Sequence, residues 1–176
     1  MKAKVSKLKH HPLNREVYLL SDIDGLVESI REVGLLQPLV IDQQHRVISG
    51  NRRLDAIKKL HLKTVDVEKI KVTKSEVPFL LIHHNKQRIK TCRELLNEYH
   101  LLEKQYKKGQ GKRTDLSTSV RTNRGLTTRD IVSGKLGISS SRLAQLLFVE
   151  KDHPDLIDLI DKGILTTNQA YLQVSR

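Results

Sequence analysis

Apolar positions in the first third of the chain change period several times. Ile23, Leu26, Val27, Ile30 and Val33 share one face at a 3.6-residue repeat, which predicts an amphipathic helix from about Asp22, capped by Ser21 and ended at Gly34. "LVI" (Leu39 to Ile41) and "RVIS" (Arg46 to Ser49) are short β-branched runs on either side of the polar turn "DQQH", and they predict paired strands. A helix follows from about Asn51, with Leu54, Ile57 and Leu60 inward. "TVDVEKIKV" returns to strand-like alternation, and Ser75 is placed to cap a short helix that tolerates Pro78 in its first turn. This part reads as a small α+β domain, residues 1–90.

Thr91 and Glu94 have capping-box spacing and predict a long helix whose Leu95, Tyr99, Leu102 and Tyr106 share a face. That helix is either a connector or a core helix of the second part. A polar, glycine-bearing loop, "KKGQGKRTDLSTSVRTNRG", comes next. Helix and loop together make a segment from 91 to 125. Residues 126–176 are helical throughout in pattern and read as an all-α domain. The last helix, "TTNQAYLQVSR", stops without a closing signal.

Charge sharpens this picture. The 176 residues carry 32 Lys+Arg against 20 Asp+Glu, a net charge of +12, which points to a polyanionic partner, nucleic acid before membrane surface. Half of that excess lies between Lys104 and Arg124, where seven basic residues accompany one acid. The loop is either a solvated linker or one whose Lys112, Arg113, Arg121 and Arg124 also follow a phosphate backbone. No apolar run is long enough to span a bilayer, and no signal-peptide pattern follows Met1, so the expected location is the cytoplasm. The single Cys92 excludes an intrachain disulfide. The eight histidines show no zinc-finger spacing with it. With aromatics at 3%, a stacking platform for single strands is not expected.

Two stretches carry chemistry. "VISGNRRLDAIKKL" passes from strand to helix through Ser49, Gly50 and Asn51 and places Arg52 and Arg53 at the helix start. Free N–H groups, the helix dipole and two guanidiniums then converge on one spot, a setting for phosphate. The same residues also suit a solvated helix start whose arginines pair with surface acids. "TTRDIVSGKLGISSSRLAQLLFVE" reads as two short helices around Gly137, with a small residue at Ser133 where they cross and Leu143, Leu146 and Leu147 packing inward. Thr127 or Thr128 caps the first and Ser139 the second. Ser140, Ser141, Arg142 and Gln145 then project from the turns that enter a major groove in helix-turn-helix proteins, where Arg suits guanine and Gln adenine. An exposed polar face on an ordinary helical hairpin is the alternative.

Taken in order, these motifs resemble the ParB family of DNA-partition proteins. "SIREVGLLQPLVI" is similar to the family's first nucleotide box through Gly34, Gln37 and Pro38. "SGNRRLDA" is similar to the second, Gly-Glu-Arg-Arg-x-x-Ala, and "HNKQR" (His84 to Arg88) to the third, Glu-Asn-x-Gln-Arg. The likeness extends over about Leu19 to Leu172. It implies a ParB/sulfiredoxin-like nucleotide-binding domain followed by a helix-turn-helix domain. The implied nucleotide site comprises Gly34, Gln37, Pro38, Ser49, Gly50, Asn51, Arg52, Arg53, His84, Asn85, Gln87 and Arg88. The implied ligands are CTP, ahead of ATP, with Mg2+ on Asn85. The implied partners are double-stranded DNA and a second copy of the chain, with no membrane, and the implied function is a nucleotide-gated clamp in partition. Three departures bear on this. Asn51 replaces a Glu, Asp55 stands where Arg is common, and His84 replaces the Glu associated with metal and hydrolysis. Nucleotide binding is therefore expected ahead of turnover, a weak CTPase activity is left open, and no catalytic residue is assigned. A helix-turn-helix transcriptional regulator and a sulfiredoxin-like phosphotransferase are the competing readings.

Overall fold

The computed structural model describes residues 1–19, 22–110 and 126–175. Two compact units divide the chain, Met1–Asn85 and Lys86–Arg176.

The first unit is α+β. Its strands are β1 (Lys2–Lys4), β2 (Lys9–His10), β3 (Leu39–Ile41), β4 (Arg46–Ser49) and β5 (Thr64–Lys69), and its helices are α1 (Pro12–Val17), α2 (Asp24–Val33), α3 (Asn51–Lys59) and α4 (Val77–His84). The strands form one sheet in the order β1-β5-β3-β4-β2, in which β3 and β4 are antiparallel while β3–β5 and β2–β4 run parallel. The β3–β4 turn is set by Asp42. Fully buried, it accepts the backbone N–H groups of Gln44 and Arg46 at 2.9 and 2.8 Å and the Arg46 Nε at 2.6 Å. Such an Asx turn explains why a polar tetrapeptide closes the hairpin. On one side of the sheet, Leu54 and Ile57 of α3 pack with Leu39, Ile41, Val47, Val65 and Val67. A separate cluster joins Ile48 of β4 to Val77 and Leu81 of α4. Each fully buried leucine here is worth roughly 2–5 kcal/mol against alanine.

Several sequence expectations shift. The first amphipathic helix begins at Asp24 rather than Asp22, and Asp22 Oδ1 takes the Asp24 N–H at 2.9 Å. Ser21, the expected cap, lies outside the described residues. Of the expected apolar face, Val27 and Ile30 reach Ala56 of α3, but Val33, one turn on, is 60% exposed. The helix with Pro78 starts after Glu76, whose carboxylate takes the Thr73 N–H and hydroxyl, both at 2.8 Å; Ser75 does not cap it. Residues 2–17, unassigned from sequence, supply both edge strands and α1.

The second unit is helical in its described residues: α5 (Cys92–Gln110), α6 (Thr128–Leu136), α7 (Ser140–Asp152), α8 (Pro154–Asp161) and α9 (Thr167–Val174). α5 is a core helix of this unit rather than a separate connector. Its Cys92 and Leu96 pack with Leu146, Val149, Ile157 and Ala170 from α7, α8 and α9. Its first turn closes as a capping box, with Glu94 N–H on Thr91 Oγ1 at 3.1 Å and Thr91 N–H on Glu94 at 3.3 Å. Asp161 adds a second anchor by accepting the N–H groups of Cys92 and Arg93.

Candidate functional site

The β4–α3 junction is built around Gly50. It holds φ at +96°, and a Cβ added there would meet Leu39 Cδ2 at 2.6 Å and Arg53 Nη2 at 3.0 Å. Only glycine suits both the backbone angle and the space. Without a side chain, Gly50 also leaves α3 with no side-chain cap, so first-turn N–H groups stay open at the positive end of the dipole.

Arg53 lies across Gly50 and donates through Nη1 to the carbonyls of Gln37 and Pro38 at 2.6 and 3.1 Å. The first and second boxes are thereby joined by one side chain. Burial lowers the Arg53 pKa from its ordinary value. Arg52 turns the other way and donates to the Asp22 carbonyl at 2.8 Å. Each of these contacts engages one nitrogen of a guanidinium that carries five N–H donors in all. Ser49 ends β4 opposite Val40, and Gly34 ends α2 with φ +75°. Gln37 and Pro38 are exposed beside a cavity of about 650 Å³, lined among others by Leu35, Leu36, Pro38, Asp66, Glu68 and Lys69.

His84 and Asn85 close α4. Asn85 spends its amide Nδ2 on the Leu81 carbonyl at 2.8 Å, which leaves Oδ1 as its oxygen ligand. The His84 pKa is lowered, first by burial and then by His83 and Arg53, while Glu68 opposes the shift. Burial thus biases the imidazole toward its neutral form. Gln87 and Arg88, the rest of the third box, fall in the second unit, where Arg88 is paired with the buried Glu94 at 2.8 Å. Among the described residues no group of three or more His, Cys, Asp or Glu could hold a metal ion.

In the second unit, Thr127 caps α6 in a box with Asp130, Gly137 ends it at φ +74°, and Ser139 caps α7 through the Arg142 N–H. Ser133, 4% exposed, and the fully buried Leu143 and Leu146 face inward as the spacing predicted. Ser140 does not project freely: its hydroxyl donates to Asp130 Oδ1 at 2.5 Å. Hydrogen bonds from Ser140 and Thr127 hold Asp130 down at about 2. Ser141 and Arg142 are exposed and Gln145 is half-buried. Arg142 also reaches the Cys92 thiol, with NH2 at 4.0 Å from Sγ. Lys112, Arg113, Arg121 and Arg124 lie outside the described residues.

Two participants escaped sequence reasoning. Glu68 was detectable in principle, because alternation along β5 buries Val65 and Val67 and turns Asp66 and Glu68 outward. His10 was not: its imidazole lies 2.8 Å from both Asn51 Oδ1 and Asp55 Oδ1, contacts made across 41 and 45 residues of chain.

A sheet whose strand β4 passes through Gly50 into the arginine-bearing α3, followed by a capped helix pair, defines an α+β unit joined to an all-α unit. Residues 2–83 match the family model of the ParB N-terminal domain. A probable chromosome-partitioning protein ParB of Borreliella burgdorferi is 29% identical over 119 residues, covering 61% of this chain and 46% of that protein. The chain thus spans less than half the length of this relative. A Pnob8-like ParB-N domain superposes with a TM-score of 0.67 at 18% identity, covering 97% of this chain and 77% of its own. The C-terminally truncated chromosome-partitioning protein ParB from Caulobacter crescentus, complexed to the centromeric parS site, gives 0.61 at 18% identity over 99% and 84%. The first unit thus carries a ParB N-terminal domain, and over that part the chain is similar to ParB proteins.

Proposed function

We propose that this chain is a nucleotide-gated, DNA-binding partition protein: a nucleoside triphosphate, CTP by family resemblance, binds at the β4–α3 junction, and DNA binds through α6 and α7. The observation that carries the nucleotide reading is the cradle at Gly50, which a Cβ would fill and across which Arg53 lies. A phosphate there meets open helix N–H groups, Arg53, and the remaining donors of Arg52. The cavity beside Pro38 is of a size to take a base and ribose. Mg2+ fits this donor set as a cation held mainly by phosphate oxygens, with Asn85 Oδ1 as the protein ligand, because magnesium keeps most of its shell as water and phosphate. When bound, it would neutralise phosphate charge; neutral His84 is a poor ligand for so hard an ion. Turnover by this chain is accordingly slow.

The DNA reading rests on the α6–α7 pair acting as a helix-turn-helix. Arg142 and Gln145 read base edges and Ser141 meets the backbone, while Ser140 holds the two helices together. Lys112, Arg113, Arg121 and Arg124 add contacts that do not depend on sequence. Two copies would bind a palindrome, and the nucleotide would favour a closed dimer by binding that form more tightly. Among the described residues no helix is long and apolar enough to cross a membrane.

Titration with CTP, ATP, GTP and UTP, with and without DNA carrying a partition site, tests the assignment. Saturable binding of CTP that is enhanced by DNA is expected. DNA binding with no nucleotide affinity would instead leave the transcriptional-regulator reading.

A further inference from the structure

His10 lies on β2, where it faces Val47 of β4 in the parallel ladder. Its side chain is only 10% exposed. Nδ1 lies 2.8 Å from Asn51 Oδ1 and Nε2 lies 2.8 Å from Asp55 Oδ1. The second amide atom of Asn51 donates to the Val47 carbonyl at 3.4 Å, which completes a ring through β2, β4 and the start of α3. Asn51 and Asp55 stand one helical turn apart and bracket Arg52 and Arg53. Since Gly50 offers no side chain to the first turn, nothing on α3's own N-terminal side fixes that turn by capping. His10 grips it from the neighbouring strand. It also engages Asp55, a carboxylate one turn into α3.

We propose that His10 is a positioning residue for the phosphate site: by bonding Asn51 and Asp55 it fixes the turn of α3 that aims Arg52, Arg53 and the open N–H groups. The proposal rests on the nucleotide reading above. It also accounts for Asn51 and Asp55 together, since both are engaged by one imidazole. Sub-ångström placement of phosphate donors governs how many bonds form at once, so loosening this turn weakens binding without removing any residue that touches the ligand.

The test is calorimetric titration of CTP with Mg2+ into the full chain, at a temperature where far-UV circular dichroism shows every variant fully folded. His10→Phe keeps a ring in place and removes both bonds; His10→Gln retains an N–H donor. Kd is expected to rise at least about tenfold for His10→Phe and to stay within about threefold for His10→Gln, the scale of one or two hydrogen bonds. Asp55→Ala is expected to lose affinity like His10→Phe, and the double variant to be no worse than the weaker single one, because both remove the same link. Should His10→Phe not fold, Asp55→Ala against Asp55→Asn, which keeps an acceptor oxygen, carries the same test. Unchanged Kd in His10→Phe or Asp55→Ala, even with a lower melting temperature, would overturn the positioning role while leaving the nucleotide site intact. Absence of nucleotide binding by the unmodified chain would overturn both.

Discussion

Replacing Gly50 by alanine should damage both stability and ligand affinity, and the structure allows the size to be worked out. A non-glycine residue in the left-handed region costs roughly 1–2 kcal/mol. The new Cβ would sit 2.6 Å from Leu39 Cδ2, and Leu39 is fully buried between β5 and α3, so it has no free rotamer to retreat to. Overpacking of this kind adds about 1–3 kcal/mol. The contact to Arg53 at 3.0 Å is more easily relieved, because a guanidinium can swing, but that movement breaks its bonds to Gln37 and Pro38. Together these give a loss of about 2–5 kcal/mol in the first unit. Gly25 provides the internal control. It lies in α2 with nothing within 4 Å of an added Cβ, so Gly25→Ala should stabilise by about 0.4–1 kcal/mol. Urea unfolding followed by a probe in the first unit reads both, and CTP affinity well below the transition reads the site. Gly50→Ala should also lower CTP affinity by at least about tenfold. If Gly50→Ala unfolded within about 0.5 kcal/mol of the unmodified chain, the close approach at Gly50 and the phosphate cradle built on it would both be wrong.

Further outcomes follow from the same structure. Arg142→Ala or Gln145→Ala should cost about 1–3 kcal/mol of discrimination between cognate and scrambled DNA, read by competition binding, while neutralising Lys112, Arg113, Arg121 and Arg124 should weaken binding to all sequences and flatten its salt dependence. His84→Glu should steepen the Mg2+ dependence of CTP affinity, since a carboxylate replaces a neutral imidazole; an unchanged magnesium series would place His84 away from the cation. Asp130 has a folded pKa of about 2, depressed from 3.8, so its contribution is complete above 3.8 and is lost as pH falls toward 2. Asp130→Asn should therefore flatten the acid unfolding of the second unit in that window, as followed by helical circular dichroism. Thr127→Ala, which removes the α6 cap, should destabilise that unit by about 1 kcal/mol, and no change in its urea midpoint would contradict the capping assignment.

Legibility from sequence followed the range of the interactions. The β3 and β4 boundaries, the Asn51 helix start, the Thr91 capping box and the Ser133–Gly137–Leu143 packing pattern are all local and were read correctly, because each depends on neighbours within a few residues. α5 was ambiguous for the opposite reason. Its apolar face suits either a connector or a core helix, and only distant partners in sequence on α7, α8 and α9 decide. The edge strands near the N-terminus were missed because two or three lysine-bearing residues make no periodic signal; their strand character comes from pairing with β4 and β5. At the site, Gly50, Arg52 and Arg53 were legible as a strand-to-helix junction, but the grip of Arg53 on Gln37 and Pro38 and of His10 on Asn51 and Asp55 depends on the fold. Ser140 shows the converse error: position on the helix suggested an outward hydroxyl, yet a half-buried tie to Asp130 was the stronger use for it.

The central claim is that the Gly50–Arg53 junction holds the phosphates of a nucleotide. Calorimetric titration of CTP with Mg2+ into the unmodified chain and into the Arg52→Ala/Arg53→Ala variant, both verified as folded, tests it most directly. Two charge-assisted contacts at roughly 1.5–3 kcal/mol each predict saturable binding by the unmodified chain and a loss of at least about a hundredfold in the variant. Equal affinity in the two proteins would contradict the account.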